Sequence, residues 1–339
     1  RINHLAMEFF QDRLRAPQDG RKAMNYLIGR GMTRKIIDEY QLGYAPSRWD
    51  GLLNYLGNKK VPMALVAKSG LVVPRKSGNG YYDRFRDRVI FPISDLNGRI
   101  IGFGGRVMGD ELPKYLNSPE TIIYSKRHSL YGLDKARQPA RASGNIYLVE
   151  GDFDALSMHH YGLYNTVATL GTALTAEHVQ LLKGIVGQGG RAILVYDSDQ
   201  AGIKAARRSI GVFEQGFLDA RILVLPEGYD PDSFLREHGP EDFFQKADNA
   251  LGLLPFLITS AIQDHGLSIE GKVKVVSEMQ EPLAAVQDAV ARSLYIKQLS
   301  ERLQIDETTI MDQIRLAVDR NQGLVSTANS GLRSALMEH

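Results

Sequence analysis

The sequence predicts an α/β protein in three parts: a mixed α/β amino-terminal subdomain over 1–143, a central parallel-sheet domain over 144–240, and a carboxy-terminal helical subdomain with a polar tail over 241–339. Three observations predict it. At 339 residues the chain exceeds what one hydrophobic core usually serves. Between about 144 and 240, apolar runs of strand length (146–149, 166–170, 192–196, 221–225) alternate with helical stretches, the pattern of parallel strands joined by crossover helices. From about 241 onward the apolar period is helical throughout.

Taken in order, the first residues, "RINHLAMEFFQDRL", already read as a helix. They begin at Arg1 rather than Met, so the chain reads as an excised fragment of something longer. "DGRKAMNYLIGRGMTRKIIDEYQLGYAP" keeps helical spacing at Ile36, Ile37 and Tyr40, broken by Gly29, Gly31 and Pro46. "RVIFPISDLNGRIIGFGGR" reads as a hairpin turning through Asp95-Leu96-Asn97-Gly98, and Gly102, Gly104 and Gly105 imply either a close approach of the backbone or a bulge. In "AVARSLYIKQLSERLQ", Leu294, Leu299 and Leu303 are read as sharing one face. "LSERLQIDETTIMDQIRLA" is read as two packed core helices rather than a DNA-reading helix-turn-helix, because no basic cluster marks its second helix. The last stretch, "NQGLVSTANSGLRSALMEH", is small and polar, as in a frayed tail or linker, and no internal repeat is visible.

Composition narrows the function classes. No apolar run approaches the length of a bilayer span, and the first residues lack the plan of a signal peptide, so no membrane partner is expected. The absence of cysteine excludes disulfides and any Cys-based zinc site in this stretch, and fits the cytoplasm. Net charge is only +2, from 41 basic and 39 acidic residues, but the charges are unevenly spread. From Arg75 to Arg106 there are seven Lys/Arg against three acids, interleaved with Tyr81, Tyr82 and Phe85. Such a run reads either as an electrostatic groove for a polyanion or as a basic solvated surface.

The sharpest feature is "IYLVEGDFDALS", in which a buried-looking strand runs into Glu150, Asp152 and Asp154. Crowded carboxylates raise the cost of ionising one another. Two further strands end the same way, "RAILVY" at Asp197-Ser198-Asp199 and "RILVLPEGY" near Asp230-Pro231-Asp232. In a parallel sheet all strand carboxyl ends share one edge, where ligands bind. Glu150, Asp154, Asp197, Asp199, Asp230 and Asp232 are therefore expected to converge, with Asp152 between them facing solvent. Gathered carboxylates need a cation, and hard oxygen ligands suit Mg²⁺ or Mn²⁺. Each piece also has a plainer reading: Asp230-Pro231 alone is an ordinary helix N-cap followed by Pro at the first helical position.

Glu150-Gly-x-x-Asp154 followed by Asp197-x-Asp199 resembles the Toprim domain shared by primases, topoisomerases and some nucleases. The segments "YDRFRDRVIFPI", "GRIIGFGGRV", "PKYLNSPET", "LYGLDKAR", "VATLGTALTAEH", "YDSDQAG" and "LPEGYDPDSFL" narrow this: over about 8 to 240 the chain resembles the RNA polymerase core of bacterial DnaG-type primase, with a looser likeness in the helices that follow. It departs from the family pattern at Asp152, commonly Tyr, and at Ser198, commonly Gly.

The resemblance implies a nucleotidyltransferase that makes short RNA primers from nucleoside triphosphates on a single-stranded DNA template, using Mg²⁺ or Mn²⁺, in the bacterial cytoplasm at the replisome. It implies Glu150 as central catalytic carboxylate with Asp197 and Asp199, and Asp154, Asp230 and Asp232 as further metal and triphosphate-site residues. Lys114, Tyr115, Asn117, Ser118 and Lys126 become nucleotide and template contacts, and Arg30, Arg84, Arg86, Arg88 and Arg106 phosphate contacts along the template groove. Partners expected are template, nucleoside triphosphates and the nascent RNA primer. The family's zinc-binding domain is expected to be absent, as is the domain that binds the replicative helicase, placed beyond His339. The rival readings are a Toprim nuclease or topoisomerase, and a non-catalytic nucleic-acid-binding module.

Overall fold

Apolar residues at helical spacing fold the start of the chain into α1 (Ile2–Arg15), which buries Ala6, Met7, Phe9, Phe10 and Leu14 along one face. Then come α2 (Arg21–Gly29) and the short α3 (Arg34–Glu39), whose first turn is capped by the Thr33 hydroxyl accepting the Ile36 N–H. The computed structural model describes residues 1–76, 78–196, 208–213, 216 and 218–315.

A first sheet is antiparallel, in the order β1-β4-β5-β6, from β1 (Gly43–Ala45), β4 (Arg88–Ser94), β5 (Ile100–Val107) and β6 (Tyr115–Asn117). Between β1 and β4 lie α4 (Gly51–Asn58), α5 (Met63–Lys68) and a small ribbon of β2 (Val72–Pro74) with β3 (Tyr81–Asp83). The expected hairpin is β4 with β5. Its turn is held by Asp95, whose carboxylate accepts the N–H groups of Asn97 and Arg99, and Gly98 supplies the left-handed residue (φ 74°). The glycines of β5 mark close approach: a methyl group on Gly105 would sit 2.8 Å from the Phe85 ring. The register shifts opposite Ile93 and Ser94, where the extra residue, Ile101, lies on β5 beside Gly102.

A second sheet runs β11-β10-β9-β7-β8, from β7 (Asn145–Val149), β8 (Thr166–Ala168), β9 (Arg191–Tyr196), β10 (Asp219–Val224) and β11 (Leu251–Gly252). β8, β7, β9 and β10 are mutually parallel, as the alternation of runs and helices required, whereas the two-residue β11 lies antiparallel on β10 within the region read as wholly helical. Period-two alternation divides the sheet's side chains between two cores. Ile146, Leu148, Leu194 and Ile222 pack under α6 (Leu133–Ser143), α8 (Ala176–Val186) and the carboxy-terminal helices. Tyr147, Val149, Ile193, Val195 and Leu223 face the other way. They meet α7 (Asp152–His160), α9 (Pro231–Asp248) and residues of the first region, among them Ile36, Ile37, Tyr40, Phe91 and Tyr131. A single core thus joins the two sheets, and the acidic strand ends are fixed relative to the basic hairpin.

The remaining helices are α10 (Leu253–His265), α11 (Ile269–Ala285), α12 (Ala289–Leu303) and helical residues 307–315. Ile310 and Ile314 are buried, so the last two helices pack into the core. One expectation fails in α12: Leu299 and Leu303 are buried together with Ile296, but Leu294 is 62% exposed. Positions 294 and 299 are five apart, which carries a side chain well off the face set by 296, 299 and 303. Among the described residues no helix is long and apolar enough to cross a membrane.

Candidate active site

The acidic edge is built as parallel pairing requires. β7 and β9 are neighbours in register Leu148↔Leu194, so Glu150, just past β7, lies on the edge where β9 ends at Tyr196. Burial first, and then the negative charge of Glu150, push the Tyr196 hydroxyl above its usual range, as expected of two neighbouring strand ends. They line a cavity of about 370 Å³ with Thr169, Gly171, Thr172 and Arg208. The Thr172 hydroxyl is buried with no hydrogen-bond partner among the described residues. Asp197 and Asp199 lie outside the described residues.

α7 carries the next group. The Asp154 carboxylate accepts the Gly151 N–H (3.2 Å) and tightens the turn from β7 into the helix. One turn on, the buried Ser157 hydroxyl donates to Asp232 Oδ1 (2.7 Å), which draws the start of α9 against α7. Asp232 also faces the end of α2: a methyl group on Gly31 would lie 3.8 Å from its Oδ1. Asp230, by contrast, serves as the N-cap of α9, accepting the Ser233 N–H (2.8 Å) and hydroxyl (2.6 Å). Among the described residues no three of His, Cys, Asp and Glu gather closely enough to hold a metal ion. The oxygen donors at the edge are of the kind that suit a hard divalent cation.

Asp152 corrects an expectation. It does not face solvent but is 6% exposed, against β5 at Gly104, where an added methyl group would meet its Oδ2 at 3.3 Å. Burial pushes its carboxyl up to about 7, with the Arg106 guanidinium pulling the other way. The position commonly held by Tyr in the resembling family is thus filled here by a buried acid balanced by a buried arginine.

Basic residues also gather at α7. Arg30 and Arg106 each lie 5.0 Å from the centre of the Phe153 ring. Arg106 in turn stacks on Tyr115 (4.9 Å) and donates to its hydroxyl. Arg30 Nε and Arg106 Nε are buried without a hydrogen-bond partner among the described residues, donors suited to an anion. Asn117 donates to the Leu170 carbonyl (2.8 Å) and ties β6 to the loop that follows β8. Lys114 is exposed, and the backbone of Lys126 joins Glu120 to His178.

The other arginines part company. Arg86 lies over Trp49 (4.2 Å) and Tyr82 (5.0 Å) in a surface cluster, and Arg84 Nε donates to the Gly70 carbonyl (2.7 Å). Arg88 is buried, and its guanidinium donates to the carbonyls of Pro113 (2.8 Å), Lys114 (3.3 Å) and Gly105 (3.4 Å). It does not present the open phosphate contact expected of it, because it braces the hairpin from inside. Ser118 is likewise buried, its hydroxyl accepting the Phe103 N–H (3.0 Å), so the nucleotide contact expected there gives way to a strand clasp.

Three participants escaped the sequence reading. Phe153 looked like one more apolar residue between acids, Ser157 like filler in a helix, and Trp49 lies well outside the basic run. Only the third left a trace in the sequence, as the sole tryptophan of the chain.

Comparison with known proteins follows this geometry. Family models match residues 9–137 (DNA primase catalytic core, N-terminal domain), 147–235 (Toprim-like) and 256–308 (DnaB-helicase binding domain of primase). The last match corrects an expectation: a family model of the helicase-binding domain, expected only beyond His339, matches helices within this chain. A DNA primase from Synechococcus elongatus is 39% identical over 317 residues, covering 91% of this chain and 45% of that protein. The chain spans about half the length of the curated relatives it matches. A crystal structure of a DNA primase domain from Pseudomonas aeruginosa superposes with a TM-score of 0.81 at 38% identity, covering 92% of this chain and 98% of that one. A DnaG primase catalytic domain bound to single-stranded DNA gives 0.74 at 34% identity, covering 88% and 97%.

Proposed function

The chain belongs to the DnaG-type DNA primase catalytic-core family, and from that premise we propose that it joins nucleoside triphosphates into short RNA primers on a single-stranded DNA template during bacterial replication, in the cytoplasm. The observation that carries this reading is the meeting of acids and bases around one helix. α7 carries Asp154 just past β7 and holds Asp232 through Ser157. Its Phe153 ring has the Arg30 and Arg106 guanidinium groups each 5.0 Å from its centre, and their buried Nε–H donors have no partner among the described residues.

In this reading Glu150, Asp154, Asp197, Asp199 and Asp232 hold divalent metal, Mg²⁺ or Mn²⁺. When bound, the metal offsets the negative charge that builds on the phosphate oxygens during nucleotidyl transfer. Glu150, exposed at the strand end, is suited to draw the proton from the attacking 3′-hydroxyl. Ser157 holds Asp232 in place, and Asp230 keeps α9 seated rather than binding metal. Arg30 and Arg106, kept planar against Phe153, bind template or triphosphate phosphates with donors that no protein acceptor takes. Lys114, Tyr115, Asn117 and Lys126 extend that contact along β6 and the segment after it. The helices over 256–308 supply a contact for the replicative helicase.

The deciding experiment is template-directed RNA synthesis from ribonucleotides by wild type and Glu150→Gln. The variant should lose roughly 100-fold or more of the rate, the scale of a missing acid–base group, while single-stranded DNA binding stays within about twofold. Equal synthesis by both proteins would overturn the role of Glu150, and relaxation or nicking of supercoiled plasmid with no RNA product would overturn the assignment.

A further inference from the structure

His178 is fully buried in the first turn of α8, yet its ring reaches backbone on two segments of the chain. Nδ1 accepts the Thr175 N–H (3.3 Å), which leaves the ring proton on Nε2. That N–H donates to the carbonyls of Lys126 (2.9 Å) and Ser129 (3.2 Å). Burial lowers the pKa of the ring and keeps it neutral, as this pairing requires. Beside it the Thr175 hydroxyl donates to the Arg127 carbonyl (2.9 Å). The start of α8 thus grips the short 3₁₀ turn over Lys126–His128 by its carbonyls.

Lys126 is held from both sides. The Glu120 carboxylate accepts its N–H (2.9 Å) and His178 takes its carbonyl, so the peptide groups on either side of its α-carbon are fixed. With both fixed, the direction in which the side chain leaves the backbone is fixed too. Lysine carries its charge on a flexible four-carbon stem, and a held root leaves less freedom to lose when the ammonium meets a phosphate. The neighbouring Arg127 is already engaged by Glu177 (3.5 Å). The loop that ends at Thr175 lines the cavity beside Glu150 through Thr169, Gly171, Thr172 and Leu174, so the turn is pinned to the acidic edge. Resting on the phosphate contact proposed above for Lys126, we infer that His178 is a positioning residue, which aims Lys126 at that phosphate by holding its backbone from behind.

The test measures kcat, KM for ribonucleoside triphosphate and Kd for a single-stranded template in wild type, K126A, H178A, H178Q and H178A/K126A. Lys126→Ala should raise KM or template Kd roughly tenfold, the loss of one charge-assisted contact. His178→Ala should raise the same constant roughly threefold or more, with kcat within about twofold. His178→Gln should return it to within about twofold of wild type, because a Gln amide both accepts the Thr175 N–H and donates to the carbonyls. The double variant should match Lys126→Ala alone, since a side chain that is gone cannot be misplaced. Should His178→Ala not fold, Thr175→Ala frees the Arg127 carbonyl in its place, with Thr175→Ser as the restoring variant. If the clamp variant leaves that constant unmoved, or its effect multiplies with that of Lys126→Ala, the positioning role fails while the Lys126 contact stands. If Lys126→Ala moves neither constant, the Lys126 contact fails and the positioning role falls with it.

Discussion

His159 is fully buried on α7 with both ring nitrogens engaged: the Tyr40 hydroxyl donates to Nδ1, and Nε2–H donates to the Thr166 carbonyl (2.8 Å). That pairing requires a neutral ring, and burial lowers its pKa from 6.5 to about 4. The folded value lies below the unfolded one, so this contribution to stability is whole above about pH 6.5 and is lost as pH falls through 4. Denaturant unfolding at pH 7 and pH 4 should show wild type losing about 3 kcal/mol more than His159→Gln, at 1.36 kcal/mol per unit. An equal loss in both proteins would place the acid sensitivity elsewhere. Arginine illustrates the same dependence on surroundings. Arg88, opposite Val107, and Arg106, opposite Val89, sit at adjacent register positions of the same hairpin, one taken up by three backbone carbonyls and the other stacked on rings with a donor left over. Residue type alone does not distinguish a brace from a ligand; the acceptors already within reach do.

Among the elements, α7 does most to assemble the site. Its first turn follows directly from β7, and one helical face delivers Asp154 to the turn, Phe153 to the two arginines and Ser157 to Asp232. β5 makes the complementary surface by being narrow. Gly104 leaves room for Asp152, and Gly105 leaves room for the Phe85 ring and the Arg88 stem. A methyl group on Gly105 would sit 2.8 Å from one and 3.2 Å from the other, both buried, so neither can yield cheaply. Gly105→Ala should therefore cost about 1–3 kcal/mol by urea unfolding, the range of overpacked interiors. A loss below about 0.5 kcal/mol would mean that the hairpin can spread without penalty. On this scale much was legible beforehand. The β4–β5 hairpin, its Asp95 turn and the parallel strands all follow from local patterning, because alternation and turn chemistry are short-range properties. Leu294 and β11 were not, since both depend on what lies across the fold.

At the scale of the whole molecule, the two sheets share a core in which Phe91, Tyr131 and Phe153 pack together, so the basic residues at Phe153 cannot drift from the acidic edge. A site held this way should show its charge in the salt dependence of template binding. Arg30→Ala/Arg106→Ala should lower the slope of log K against log salt by about 1.4, two phosphates' share on single strands. Fluorescence anisotropy with a labelled single strand across a salt series measures it, and an unchanged slope would move the groove away from Phe153. The sequence by itself determined the α/β class and the parallel pairing of the central strands, since apolar runs of strand length alternating with helices leave no other arrangement. Only the tertiary structure decided that Asp152 is buried near Gly104, that Asp230 caps a helix, that Arg88 and Ser118 turn inward, and that Arg30 and Arg106 gather at the Phe153 ring. Those outcomes depend on which partner each polar atom finds when distant segments pack, and nothing local to a residue specifies that partner.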